Sequence, residues 1–471
     1  MQNSDGKLTL GQIGIRGAIM IAASTLIGFL STYSGMHEQK QVIAISIFTL
    51  IISATLLFWN FRLAIAFIGM AIILGGKVLS LEQFINSAEL DIILFLIGMM
   101  TLVGVLKDLG LFSWIIQLII SMENMTGRLF IITVVVISAL MASIVDEVTS
   151  IVFMLALIFQ VCDTLKVRPT PYVIISVIAT NIGSSGTMLG NPIGILIGTK
   201  AGFSFVDFLM WASPVMLLSL LSALVVVMFW FRKEIHLLTE RLESRRKMQA
   251  GLGPLVEIPY KKGLIILVSA ITLIALHHAL EKKLGIEKNT LLIVAPLAIS
   301  GLLMIWKNER ARHYIESEVE WWTLMFFMML FAVAGSLEKT GVTEHIANNF
   351  TKTFGDNPYV LTPIILFISA IGSAFVDNIV FVAAFIPVVN EIGATPLWWA
   401  LLFGGCFGGN ITLIGSTANI VALGMMEKRY RKHITFLEWF KFGIIIGVIT
   451  CIIATLLIYL LLPLMPATVG Y

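Results

Sequence analysis

The sequence predicts an all-α polytopic membrane protein of about 11 transmembrane helices in two inverted repeats, each with a re-entrant hairpin and a broken helix. Three observations lead there. The 471 residues are 58% hydrophobic and 13% charged, with a mean hydropathy of +0.96, whereas soluble domains carry about 25% charged residues. A motif pair occurs twice: Val145-Asp146-Glu147 followed by Thr187-Met188-Leu189-Gly190, and Val376-Asp377-Asn378 followed by Thr412-Leu413-Ile414-Gly415. The Val-Asp copies stand 231 positions apart, from 145 to 376, and that offset also aligns Leu106-Lys107-Asp108-Leu109-Gly110 with Leu337-Glu338-Lys339-Thr340-Gly341.

Apolar windows of about 20 residues locate the spans. The first, near 13–33, is an extra span within residues 1–40. Lys7 precedes it and Arg16 lies at its start, but no small-residue cleavage signature follows, so it is expected to be retained rather than removed as a signal peptide. The first repeat, 41–231, holds spans near 41–59, 62–76, 90–120, 171–200 and 211–231. The second, 263–471, holds spans near 263–279, 291–306, 319–339, 396–425 and 440–463. Two apolar stretches, about 129–162 and 358–392, are too long for one comfortable span, and each has an Asp near its middle. A hairpin entering and leaving on one side puts that Asp at a tip, because non-helical backbone at membrane depth needs protein or water around it.

Basic residues set the orientation. Arg232, Lys233, Arg241, Arg245, Arg246, Lys247, Lys261 and Lys262 fill the segment 232–262, and further clusters stand at Lys307, Arg310, Arg312 and at Lys428, Arg429, Arg431, Lys432. Eleven spans with a cytoplasmic N-terminus bring all three groups to the cytoplasm. Segment 232–262 is then a basic cytoplasmic linker, and five spans per repeat, an odd number, invert the second copy. Topology accounts for the charge without a nucleic-acid partner, and the net charge of +3 implies no acidic one. Cys162, Cys406 and Cys451 lack CxxC spacing and predict neither disulfide nor metal site. His277 and His278, beside Glu281, are expected as a solvated pair at an external span end, with metal binding the alternative. No HExxH, GxSxG or GxxxxGK[ST] motif occurs, so any pumping draws on an ion gradient or a separate ATPase subunit.

Asp146 and Glu147 stand where no Lys or Arg occurs between Arg128 and Lys166. Each ionised carboxylate at membrane depth costs at least ~2.5 kcal/mol, so it must be neutral, wet or cation-paired. Adjacent carboxylates repel, which favours protonating one of them. Either acid can instead cap a hairpin helix, where free N–H groups and the helix dipole stabilise it. Asp377, with Asn378, repeats the arrangement at the second tip. The stretches 180–192 and 404–419 interrupt their spans with glycines, Pro192, amides and hydroxyls, predicting broken helices that face the hairpin tips. Asn181, Ser184, Thr187, Asn191, Asn410, Thr412, Ser416 and Asn419 are their candidate neutral ligands. Gly183, Gly186, Gly404, Gly405 and Gly408 read as close helix packing.

At Ser373-Ala374-Phe375-Val376-Asp377-Asn378-Ile379 and along Gly404 to Asn419 the chain resembles the ion transporter superfamily, and within it the group of ArsB-type arsenite permeases, NhaD-type sodium/proton antiporters and the melanosomal P protein. The similarity covers about residues 85–465. It implies inverted repeats with tip-to-tip hairpins, commonly a homodimer, and elevator-like alternating access. Two departures stand out. Asp146-Glu147 replaces the Asp-Asn of many relatives, and Gly190-Asn191-Pro192-Ile193-Gly194 replaces their Gly-Asp-Pro-Pro-Asn.

The leading expectation is a secondary transporter of the plasma (inner) membrane: a proton-coupled antiporter exporting Na+ or neutral arsenite/antimonite. Asp146 and Asp377 would be the principal proton or ion sites, with Glu147 tuning or sharing the first, and Asn378 and the neutral groups above would line the solute path. No cofactor is expected beyond the coupling ion, H+ or Na+. The expected partners are the bilayer, a second copy and, for an arsenite permease, an ATPase subunit. The main alternative is sodium- or proton-coupled uptake of a citrate- or dicarboxylate-like anion, which helix N-termini can receive but unprotonated tips would repel. An intramembrane aspartyl protease is the remote alternative, because neither Asp146 nor Asp377 sits in a GxGD context.

Overall fold

A computed structural model describes residues 10–58, 61–248 and 257–465, and every regular element among them is helical. The chain opens with α1 (Leu10–Tyr33), α2 (Gln39–Leu57), α3 (Arg62–Gly75) and α4 (Leu81–Ser87), followed by α5 (Leu90–Asp108) and α6 (Leu111–Ile120). The expected span 90–120 is thus two helices, because Gly110 turns the chain at φ +77°, a conformation that favours glycine. Next come α7 (Gly127–Ile144) and α8 (Glu147–Leu165), the two arms of the first hairpin, then α9 (Thr170–Gly183) and α10 (Pro192–Ala201), the halves of the first broken helix. A short α11 (Phe205–Asp207) runs through a π turn into α12 (Ser213–Trp230). The basic linker begins with a helix, α13 (Arg232–Lys247).

The second half starts with α14 (Lys261–Ala275) and α15 (His277–Leu284), bent by 56°. It continues through α16 (Thr290–Trp306), which bends by 109° into a segment holding the short α17 (Ala311–His313). Then follow α18 (Trp321–Lys339), α19 (Val342–Phe354), the second hairpin α20 (Pro358–Phe375) and α21 (Asn378–Ile392), the second broken helix α22 (Thr395–Gly408) and α23 (Thr417–Tyr430), and α24 (Phe436–Leu461). Nine helices among the described residues are long and apolar enough to cross a membrane, or up to 11 if each bent pair is one span.

The sequence repeat is a structural repeat. Helix starts at 90, 111, 127 and 147 recur at 321, 342, 358 and 378, all at the 231-residue offset, and Gly341 repeats the turn of Gly110 at φ +75°. Beyond the hairpins the register shortens to 225, which carries Asn191 onto Ser416 as the residue capping the second half of each broken helix.

Two compact units emerge, and each draws on both halves of the sequence. One comprises Met1–Ile93, Glu320–Asn357 and Ala383–Gly393; within it α18 packs against α2, α3 and α4. The other comprises Leu94–Val319, Pro358–Val382 and Ala394–Tyr471, and contains both broken helices. There α7 lies along α8 and α9, α20 lies along α22, and α23 packs on α8 and α9. A methyl group on Gly183 would fall 2.3 Å from the Ala139 backbone, and one on Gly408 would fall 2.3 Å from that of Ala370. Residues 139 and 370 are again 231 apart, so the hairpin-to-helix contact is duplicated atom for atom, and the glycines are packing residues as expected.

The expectation for His277 is corrected. His277 and Glu281 are 1% and 2% exposed, because the bend at Leu276 turns them inward, and Glu281 accepts hydrogen bonds from the Asn289 and Leu291 amides.

Candidate functional site

Where a helix breaks, terminal N–H and C=O groups lose their partners, and at membrane depth they need polar neighbours. The hairpins supply them. Ser143 Oγ donates to Gly183 O and Ser373 Oγ to Gly405 O, both at 2.6 Å. Thr187 Oγ1 donates to Ser143 O and Thr412 Oγ1 to Ala374 O. Thr187 and Thr412, expected as solute ligands, thus lock each break to the end of the preceding hairpin arm. Sequence reasoning passed over Ser143 and Ser373, although each precedes the Asp of its hairpin tip by only a few residues.

The two acids of the first tip separate in role. Asp146 caps α8, its Oδ1 accepting from Thr149 N at 2.7 Å, and is half-buried. Glu147, one residue on, is 2% exposed and turns into the interior. Ser416 Oγ lies 3.5 Å from its Oε1, while Oε2 accepts no hydrogen bond among the described residues. At the second tip Asp377, also 2% exposed, accepts from Ile379 N at 3.1 Å and from Thr417 Oγ1 at 2.9 Å. Glu147 and Asp377 therefore meet adjacent residues, Ser416 and Thr417, at the start of α23. Asn378 accepts from Ile379 N at 2.9 Å with its Oδ1, and its buried Nδ2 donates to nothing described.

The amides join the two copies. Asn181 on α9 donates through Nδ2 to Asn410 Oδ1 at 3.0 Å and to Asn419 Oδ1 at 2.9 Å. Asn419 donates in turn to Gly409 O and Thr412 O, at 2.7 and 2.8 Å. Asn191 caps α10 by accepting from Gly194 N and donates to Ser184 Oγ at 2.9 Å and to Cys406 Sγ at 3.1 Å. Ser184 donates to Asn181 O at 3.0 Å. The site consequently gathers Glu147, Asn181, Ser184, Asn191, Asp377, Asn378, Asn410, Ser416 and Asn419, with Asp146, Thr187 and Thr412 in the frame behind. Cys406 was missed as a lining group. The repeat register marks Cys406, since position 406 corresponds to Asn181 at the 225-residue offset.

Buried polar atoms without partners are rare and costly, and four occur here. Glu147 Oε2 and Asn181 Oδ1 are acceptors without donors; Asn378 Nδ2 and Asn410 Nδ2 are donors without acceptors. No Lys or Arg side chain hydrogen-bonds to Glu147, Asn181, Asn410 or Asn419 among the described residues. Such a cluster, assembled from both repeats around two helix breaks, can exchange protons or bind a small cation at its carboxylates and hold hydroxyl or oxyanion oxygens at its amides.

These features define a multi-pass membrane transporter rather than an enzyme, and comparison with known proteins agrees. The chain belongs to the citrate transporter family: the sequence profile described as "Citrate transporter" matches residues 56–404. A second profile, "Sodium:sulfate symporter transmembrane region", matches residues 390–469. An uncharacterized transporter of Mycobacterium tuberculosis, Rv2685, is 30% identical over 403 residues, covering 83% of this chain and 91% of that protein. The human P protein is 26% identical over 450 residues, covering 79% of this chain and 53% of its own length. In fold, the chain is similar to the YdaH transporter of Alcanivorax borkumensis, with a TM-score of 0.51 and 15% identity over 91% of this chain and 99% of that one. The Neisseria gonorrhoeae efflux pump MtrF is similar to the same degree, with a TM-score of 0.50, 15% identity, and coverage of 94% and 99%.

Proposed function

We propose that this transporter is a proton-coupled antiporter that exports a small monovalent cation such as Na+ by alternating access, with Glu147 as the principal exchanging carboxyl and Asp377 as its partner. The supporting observation is Glu147 itself: buried, at the meeting of the two repeats, with one oxygen unpartnered and no basic side chain bonded to it. A carboxyl so placed is stable only with a proton or a metal cation on it, and alternation between the two couples their gradients. Asp146 serves the same site by fixing the start of α8. Neutral arsenite or antimonite fits the same scheme, its hydroxyls meeting the amides while Glu147 and Asp377 carry protons. The elevator movement, cytoplasmic N-terminus, plasma-membrane location and homodimer belong to this proposal as well, and an ATPase subunit only if the solute is a metalloid.

A specific observation favours a second function. The two unsatisfied donors, Asn378 Nδ2 and Asn410 Nδ2, suit an oxyanion, and the family's description names citrate; sodium-coupled anion transport would then neutralise the acids with Na+.

Proteoliposomes holding a pH dye separate these. An imposed proton gradient is challenged with Na+, Li+, K+, arsenite, antimonite or citrate, using wild type, Glu147→Gln, Asp377→Asn and Asp146→Ser. Proton movement on adding Na+ or Li+ that is lost in Glu147→Gln supports cation exchange. A response to arsenite alone moves the solute to the metalloid. Citrate uptake that requires Na+ and moves no protons overturns the proposal in favour of the anion transporter.

A further inference from the structure

Away from the central cluster, a cavity of about 390 Å³ opens where α9, α12, α13 and α24 begin or end. Its wall carries two cations, Arg168 and Lys233, and two acids, Glu234 and Glu438. None of the four forms an ion pair among the described residues. Opposite charges lining one cavity without closing on each other leave room for a ligand bearing both signs. The cavity stands at the bilayer boundary, because Trp230, on its wall, is the last residue of the span Phe205–Trp230, and Glu438 lies in the first turn of the span Phe436–Leu464. Trp230 is 47% exposed and its neighbour Phe229 is 74% exposed, as expected of aromatic rings at the level of lipid headgroups. The rest of the wall is largely apolar or aromatic, including Tyr172, which donates to Glu234 O at 3.2 Å.

The geometry points to a binding site for the headgroup of a zwitterionic aminophospholipid, of the phosphatidylethanolamine class. Its phosphate sits between Arg168 and Lys233, as charge-assisted hydrogen bonding favours. Its primary ammonium, a donor of three hydrogen bonds, reaches Glu234 and Glu438. A choline headgroup cannot donate those bonds, and a glycerol headgroup brings no positive charge to the acids. The consequence is mechanical. α13 is already fastened to the first hairpin, where the Gly127 amide donates to Thr239 Oγ1 at 3.0 Å, so the bound lipid ties the start of α9, and with it the first broken helix, to the linker helix. This site is independent of the identity of the transported solute.

Native mass spectrometry of the full-length protein, delipidated in detergent and equilibrated with equal amounts of phosphatidylethanolamine, phosphatidylcholine and phosphatidylglycerol, tests it. Wild type is expected to retain phosphatidylethanolamine about tenfold over phosphatidylcholine, the effect of one charge-assisted contact of about 1.4 kcal/mol. Arg168→Gln with Lys233→Gln should abolish that retention. Glu234→Gln with Glu438→Gln should erase the preference over phosphatidylglycerol. Lys352→Gln, distant in sequence and on no wall of this cavity, should change neither, and unaltered melting curves separate lost binding from lost folding. Equal retention of all three lipids by wild type, or a preference that survives loss of both cations, overturns the assignment.

Discussion

Adding one methyl group to Gly408 should damage this protein more than most changes to its charged surface. A Cβ built there lies 2.3 Å from the Ala370 carbonyl oxygen and 2.5 Å from the Ala370 Cα, where ordinary contact begins at 3.4 Å. The opposing atoms are backbone, so no rotamer change relieves the clash, and α20 and α22 must part by roughly 1 Å. Overpacking of this kind costs about 1–3 kcal/mol, and the rigid neighbour puts Gly408→Ala toward the upper end. Gly183→Ala meets Ala139 in the same way in the first repeat and should cost a similar amount. Gly424→Ala is the control: nothing lies within 4 Å of its added Cβ, and the helix gains about 0.5–1 kcal/mol from the better helix former. Thermal unfolding of the purified protein in one detergent ranks the three. Melting of Gly408→Ala and Gly183→Ala should fall by several degrees, with solute flux falling too although neither glycine bonds to the cluster, while Gly424→Ala melts at or above wild type. Unchanged melting in both buried variants would refute the duplicated hairpin-to-helix contact.

Three further outcomes follow from the site. Asp146→Ser preserves an oxygen for the Thr149 amide and should retain transport, whereas Asp146→Ala loses the cap and about 1 kcal/mol; parallel vesicle flux and melting curves check the pair. Asn181→Leu removes both hydrogen bonds that tie α9 to Asn410 and Asn419, each worth about 0.6 kcal/mol on average in a membrane protein, and strands their oxygens. Its melting should drop by an amount matching about 1–3 kcal/mol, with flux abolished. Arg429→Ala breaks the pair with Asp163, whose side chains are 53% and 40% exposed, so unfolding should shift by no more than about 1 kcal/mol; a larger loss would make that contact part of the fold's framework.

Much of this was legible in the sequence because membranes restrict the options. Apolar length located most spans, and the 231-residue recurrence of Val-Asp located both hairpin tips, at Asp146 and Asp377. Apolar windows did not resolve 90–120 into two helices, since the short polar break at Lys107-Asp108 and Gly110 is averaged out by the apolar runs on either side. The inward turn of His277 was hidden for a related reason: a 56° bend at Leu276 is set by packing, which leaves no periodic trace. Glu147 could be chosen as a candidate but ranked behind Asp146, because the roles of two neighbouring carboxylates separate only once one of them is seen to accept a backbone amide. Thr187 and Thr412 carry a backbone contact that the sequence did not announce. A hydroxyl beside a helix break suits a ligand or a backbone lock equally well, and only the position of the preceding hairpin arm decides.

The repeats are alike where they pack and unlike where they bind. Gly183 and Gly408, Thr187 and Thr412, and the caps Asn191 and Ser416 match in place and in task. Around the central cluster the correspondence fails: Glu147 matches Asn378, Asn181 matches Cys406, and Gly194 matches Asn419. A strictly symmetric pair of tips would carry either two buried glutamates, which repel, or two asparagines, which leave no exchangeable proton beside Asp377. With one of each, a single additional carboxyl is available for exchange beside Asp146 and Asp377, among the amides and hydroxyls of the cluster. Glu147→Asn therefore restores sequence symmetry at the cost of the asymmetry on which the proposed coupling depends. Such a variant should fold, yet lose both cation binding at that carboxyl and the dependence of flux on the proton gradient; retention of that dependence would transfer the coupling role to Asp377 alone.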